Sequence, residues 1–343
     1  MRKRVYIVYT GGTIGMIPTP DGYVPAPGYL AEQIAAMPEL KSDLMPEVEI
    51  HENDPLLDSS NMTPDDWHKI AADIAAHDEH FDGFIVLHGT DTMAYTASAL
   101  PFMLHGLRKP VIVTGSQIPL CQIRNDARAN LITAMLLAVN YPIPEVCLYF
   151  GQQLLRGCRA VKVSATGFEA FASPNLPPLG EVGVEIRINW DLVLPPSAES
   201  NLHVQELKPI NVGALRLWPG ISTQIVRNLL QSPLAGLVLE AYGVGNGPAN
   251  NPDFLAALQE ATDRGVVIVD CTQCLKGSVN LEGYATGSAL AKVGVISGFD
   301  MTAEAALAKL VYLFSQTWTV AEIRELMQTN LRGELTMPPA QRS

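Results

Sequence analysis

A threonine hydroxyl attacks a carbonyl only when a base takes its proton and nearby donors stabilise the charge that develops. The segment Thr10-Gly11-Gly12-Thr13-Ile14-Gly15 places such a hydroxyl inside a glycine-rich turn. Glycines let backbone N–H groups approach a ligand closely, which suits an oxyanion hole. Gly89-Thr90-Asp91-Thr92 adds a second hydroxyl and a carboxylate, and Asp58-Ser59-Ser60-Asn61 adds small polar groups. Each turn also has an ordinary use: the first as a strand–turn, the others as helix N-caps. The first has neither the lysine of a P-loop nor the spacing of a dinucleotide fingerprint. The coincidence of three such turns in one half of the chain points to chemistry.

A base must accompany the hydroxyl. His88 stands two residues before Thr90, but at the end of an apolar strand it reads as a packed core histidine. Lys162, after Arg156, Gly157 and Arg159, is the better-motivated base. A buried lysine falls to a pKa of about 7–8, the range useful for proton transfer. A surface lysine is the plainer reading of the same residue. Cys271-Thr272-Gln273-Cys274 spells CxxC, yet no second pair or nearby histidine follows, so no metal site is expected. The two cysteines are expected to pack as small apolar residues.

The elements that position these turns are legible as well. Val5–Tyr9, Phe84–Leu87, Pro110–Val113, Leu237–Leu239 and Val266–Val269 are short, continuously apolar runs, each running into polar or glycine residues. Such runs suit strands covered on both faces, as in a parallel sheet. Thr63 followed by Pro64 predicts a helix start, with Asp65 and Asp66 favouring its positive end. Trp67, Ile70, Ala71 and Ile74 then share one face. Strand and helix alternate, so the fold class is α/β. The run Asp191–Pro209, with Pro195-Pro196-Ser197, breaks the rhythm. We therefore expect a larger N-terminal α/β domain over 1–190, a linker over 191–211, and a smaller parallel-sheet domain over 212–343. In open α/β sheets, ligands bind beyond the carboxyl ends of strands, where the Thr13 and Thr90 turns fall; the Asp58–Asn61 turn lies in the loop before the Thr63 helix.

Composition limits the partners. Of 343 residues, 48% are hydrophobic, enough for a sizeable core. The net charge of −12, with no basic run after Met1–Arg4, argues against nucleic acid or an anionic membrane as partner. No run reaches the ~18 apolar residues of a membrane span. Val5–Tyr9 is shorter than the roughly 7–15 residues of a signal-peptide core. Five cysteines make no disulfide framework, and a cytoplasmic location is expected.

Tyr9–Gly15 and Leu87–Met93 resemble the two signature motifs of bacterial-type L-asparaginases, and the pair at this separation is highly specific. Asp58–Pro64, Val113–Gln117, Tyr242–Asn246 and Asn330–Glu334 are similar to the cytoplasmic, type I branch. The resemblance implies a homotetramer of intimate dimers that hydrolyses L-asparagine to L-aspartate and ammonia without cofactor. It implies Thr13 as the nucleophile that forms an acyl-enzyme and Tyr23 on a mobile loop closing over the site. It also implies Thr90, Asp91 and Lys162 as the second catalytic group, with Lys162 keeping the Thr90 hydroxyl basic and Thr90 helping to position water. Asp91 would also anchor the substrate ammonium and Ser59 its α-carboxylate, flanked by Asp58 and Ser60.

Some family members are described as binding a second asparagine between subunits, near Thr272–Cys274. A basic residue is expected near position 240 for that purpose, and Glu240 reverses the charge. Asn246 is a candidate cross-subunit contact, or simply part of a glycine-rich turn. Alternatives for the activity are glutamine, D-asparagine, the tRNA-amidating subunit of the superfamily, or a non-enzymatic amino-acid-binding protein. The tRNA-amidating subunit normally carries an extra N-terminal domain, whereas here the motif begins at Tyr9.

Overall fold

The computed structural model describes residues 2–199, 201–283 and 285–337. Two compact units make up the chain, Met1–Gln205 and Glu206–Ser343. In the first, β1 (Arg4–Gly11) is buried from Val5 onward. A tight turn at Thr13–Gly15 leads into the hairpin of β2 (Met16–Thr19) and β3 (Gly22–Pro25), then α1 (Tyr29–Ala36) and β4 (Glu47–Leu57). Helix α2 (Pro64–His77) starts where Thr63 and Pro64 predict. The Asp66 carboxylate accepts from the Thr63 backbone N–H at 3.0 Å and its hydroxyl at 2.7 Å, satisfying a donor at the helix end. Ile70, Ala71 and Ile74 are buried, and Trp67 is half-buried on the same face.

Strand–helix alternation continues through β5 (Gly83–Leu87), α3 (Met93–Met103), β6 (Leu104–His105), β7 (Val111–Thr114), α4 (Ala127–Asn140) and β8 (Val146–Phe150). Shorter strands follow: β9 (Gln153–Arg156), β10 (Val161–Lys162), β11 (Phe171–Ala172), β12 (Gly180–Val182), β13 (Ile186–Ile188) and β14 (His203–Val204). An eight-stranded sheet runs in the order β13-β12-β9-β8-β7-β5-β1-β4. The five strands from β4 to β8 in that order are parallel, and β1, β5 and β7 among them are the continuous apolar runs that the sequence shows. Strands β9, β12 and β13 add an antiparallel extension. The chain reverses from β8 into β9 at Gly151 and Gln152, with φ of 55° and 67°, the left-handed pair that a two-residue hairpin requires.

This order contains a switch point. After β1 the chain places β4 on one side of it and β5 on the other. The connections leaving β1 and β5 therefore part in opposite directions and open a crevice at their carboxyl ends.

The second unit holds β15 (Val212–Arg216), α5 (Thr223–Leu229), β16 (Gly236–Ala241), α6 (Pro252–Asp263), β17 (Val267–Thr272), α7 (Ala285–Lys292), β18 (Ile296–Ser297), α8 (Ala303–Ser315) and α9 (Val320–Met327). Its four strands are parallel and stand in chain order. Residues 191–211, read from sequence as a linker, include β14, which pairs with β6 in the first unit. No helix among the described residues is long and apolar enough to cross a membrane.

Asp270, on β17, is fully buried, and neither carboxylate oxygen has a hydrogen-bond partner among the described residues. Burial pushes its carboxyl up to about 8, so it folds in the neutral form. An unfolded aspartate ionises near 3.9, so this group costs stability as pH rises from about 4 to about 8. Asp270→Asn should gain on the wild type by about 4 kcal/mol between pH 4 and pH 7. Urea unfolding at both pH values checks this, and a gap that does not widen with pH would refute it.

Candidate active site

Three polar turns meet at the crevice because glycine lets them. Gly11 and Gly12 have φ of 121° and 83°, which L side chains rarely adopt. A Cβ on Gly12 would stand 2.4 Å from Gly89 Cα, and one on Gly89 would stand 2.5 Å from Ser59 Oγ. The Thr13 and Thr90 turns are thus in backbone contact, and the Ser59 side chain packs on Gly89. The Gly12 N–H donates to Leu57 O at 3.1 Å, and the Thr92 hydroxyl donates to Ser59 O at 2.7 Å. Asp58 caps its own turn, its Oδ1 accepting from the Ser60 N–H and hydroxyl at 2.9 Å each. Ser59 is buried between them.

Lys162 arrives from much later in the chain. Arg156, at the end of β9, makes a buried bidentate pair with Glu145, at 2.5 and 3.2 Å. The next residue, Gly157, lies so close to α3 that a Cβ would stand 2.4 Å from Ala97 O. Strand β10 then pairs with β11, Lys162 opposite Phe171. This route carries Lys162 Nζ to 3.0 Å from Thr90 Oγ1 and 2.7 Å from Asp91 Oδ1. The plainer reading of Lys162 as a surface lysine does not hold: its side chain is only 21% exposed and paired. Thr90 is buried and donates its own proton to Gln117 Oε1 at 3.2 Å. Gln117 is in turn fixed, its Nε2 donating to Gly167 O and its N–H to Asp126. Sequence reasoning gave Gln117 no role, although it follows β7, the next strand end along the sheet.

His88 is the packed core histidine that its strand suggests. Trp67 Nε1 donates to Thr96 Oγ1 at 3.0 Å, which in turn lies 2.7 Å from His88 Nε2. The other ring nitrogen, Nδ1, faces Gly89 O at 2.7 Å and so carries the proton. The ring is neutral, its pKa pushed down to about 4 by burial, and it braces the Gly89–Thr90 turn.

Tyr23, on β3, stands outside this group, exposed, with its hydroxyl on Gln122. The remaining sequence candidates lie in the second unit, around the carboxyl ends of β16 and β17. Glu240 pairs with Arg216 at 3.1 Å, directly across the β15–β16 ladder. Asn246 closes a turn on Tyr242 and accepts from the Thr286 hydroxyl at 2.5 Å. The Thr272 hydroxyl donates to Gly243 O at 2.5 Å and accepts from Cys274 N–H at 3.0 Å. The expectation that both CxxC cysteines pack as apolar residues needs correction. Cys271 is buried on β17, but Cys274 lies past the strand end and is exposed. All five cysteines are free thiols.

Fold and site together place the chain among α/β proteins that gather polar turns at a sheet's switch point. The chain belongs to the asparaginase family: residues 4–194 match the family model for the asparaginase N-terminal domain, and 211–327 that for the glutaminase/asparaginase C-terminal domain. It is 56% identical to L-asparaginase 1 of Escherichia coli K12, over 98% of both chains. Among solved structures it resembles L-asparaginase I from Vibrio cholerae, at 52% identity and TM-score 0.91, covering 98% of this chain and 100% of that one. It also resembles the thermostable L-asparaginase from Thermococcus kodakarensis, at 33% identity and TM-score 0.88, with the same coverage.

The neutral His88 gives a pH signature with a defined sign. An unfolded histidine takes a proton near pH 6.5, while the folded ring resists it down to about 4. The stability it supports is therefore lost as pH falls through that window. His88→Gln should be less stable than wild type at pH 7, and the gap should shrink by about 2 kcal/mol at pH 5. Denaturant titrations of both proteins at the two pH values measure it; a constant gap would mean His88 titrates normally.

Proposed function

We propose that the chain is a cofactor-independent L-asparaginase that hydrolyses L-asparagine to L-aspartate and ammonia through an acyl-enzyme on Thr13. The observation that carries this is the Lys162–Thr90–Asp91 set, at 3.0 and 2.7 Å, in a member of this family. Thr13 Oγ attacks the side-chain amide carbon, and N–H groups of the glycine turn receive the oxyanion. The Thr13 proton leaves on the departing ammonia. Water positioned by Thr90 then cleaves the ester; Thr90 and Lys162 take its proton and return it to the Thr13 oxygen.

The same turns hold the substrate's zwitterion. Asp91 is mostly exposed, and its carboxylate has acceptor sites beyond the one engaged by Lys162, enough for an α-ammonium. Ser59 takes the α-carboxylate, in a loop shaped by Asp58 and Ser60. The β2–β3 hairpin brings Tyr23 over the bound substrate, which requires its hydroxyl to leave Gln122. The enzyme works as a homotetramer, a dimer of dimers, in the cytoplasm, where free thiols persist. With Glu240 acidic and paired to Arg216, the region of Asn246, Thr272 and Cys274 binds no activating second asparagine.

Ammonia release from asparagine and glutamine over a concentration series tests this reading. The wild type should release ammonia from asparagine along a hyperbolic curve. Thr13→Ala and Lys162→Met, with wild-type circular dichroism, should each lose about 10²–10⁴-fold in kcat. A wild-type protein that binds asparagine but releases no ammonia would make the chain a binding protein. A faster turnover of glutamine would reassign the substrate, and a sigmoidal curve would overturn the absence of activation.

A further inference from the structure

At the far end of α3 from the Thr90 turn, the first unit gathers a second group of reactive side chains. Strands β6 and β14 pair antiparallel, with His105 directly opposite His203. Residues so paired project from the same face, and the two rings lie 5.4 Å apart between centroids. Glu199 brings its Oε2 to 3.7 Å from His203 Nδ1. One donor atom from each of the three lies within 4.8 Å of the other two. We propose that His105, Glu199 and His203 bind a divalent transition-metal ion of the zinc type, which fastens the segment entering β14 onto β6.

The donor set selects the class of ion. Two imidazoles and one carboxylate suit zinc, copper or nickel, whereas magnesium and calcium prefer oxygen ligands throughout. The His203 and Glu199 side chains are 51% and 55% exposed, so an ion can enter and water can complete a tetrahedron. Zinc bonds of about 2.0–2.2 Å require the donors to draw closer than they stand. Backbone contacts on either side hold His105 and His203 in register. The Gln205 N–H donates to Met103 O at 2.8 Å. Gly106, with φ of 80°, lies so close to the incoming segment that a Cβ would stand 2.2 Å from Asn201 O.

The ligands are also far apart in sequence. About a hundred residues separate His105 from His203, so a shared ion closes a long loop of the unfolded chain. An ion held by the folded protein alone stabilises it by mass action. In the His51–Asp73–His77 group, the Asp73 carboxylate lies 2.7 Å from His51 Nδ1 and accepts from the Tyr6 hydroxyl at 3.0 Å. His51→Ala is therefore the control.

The test is Zn²⁺ titration of the untagged full-length chain, stripped by chelator, by calorimetry and by thermal unfolding. The wild type should bind one Zn²⁺ per chain and melt at a higher temperature with it. His203→Ala and Glu199→Gln change exposed residues; both should weaken Zn²⁺ binding by about tenfold or more and abolish the shift in Tm. His51→Ala should retain both. Absence of Zn²⁺ binding to the wild type, or wild-type affinity in either ligand variant, would overturn the site.

Discussion

Backbone packed on backbone at Gly12 and Gly89 is the contact on which the site depends. The two residues follow neighbouring parallel strands, β1 and β5, at the place where the sheet's connections diverge. Here the approach leaves no space for even a methyl group, and Ser59 closes on Gly89 from the other side. Three loops distant in sequence thereby meet at one end of the sheet. The left-handed backbone at Gly11 and Gly12 fits the same demand.

Electrostatics is added to that meeting point by a long detour. A lysine at the tip of its own loop would be solvated and mobile. Lys162 is instead delivered by a chain of constraints: the buried Glu145–Arg156 pair, Gly157 against α3, and the β10–β11 ladder. Its Nζ then lies between one carboxylate and one hydroxyl, and Gln117 Oε1 accepts the hydrogen bond that this hydroxyl donates. Thr90 is therefore held from both sides, with a defined donor direction. His88 and Thr96 brace the same turn from beneath without offering a base.

Local rules made much of this readable. The central strands declared themselves as unbroken apolar runs, since both faces of a parallel sheet are covered. The start of α2 was written in Thr63, Pro64 and Asp66, a pattern that needs nothing beyond one turn of helix. The three hydroxyl turns could be recognised by residue type alone. What stayed hidden was set by distant partners. Nothing near Lys162 states that it meets Thr90, and nothing near Gln117 states that its amide is held by Gly167. The antiparallel strands β9, β12 and β13 are three or four residues long, too short for periodicity to show. The pairing of His105 with His203 depends on a two-residue ladder. The exposure of Cys274 follows from where β17 ends, which residue type does not mark.

The close approach at Gly89 can be tested directly with Gly89→Ala, by steady-state ammonia release from asparagine together with the unfolding midpoint. A single methyl there must push Ser59 away while leaving the sheet intact. We predict a fall in kcat/KM of about a hundredfold or more, with the midpoint little changed. Full activity in a normally folded Gly89→Ala protein would contradict the account, because the three turns would then work without touching.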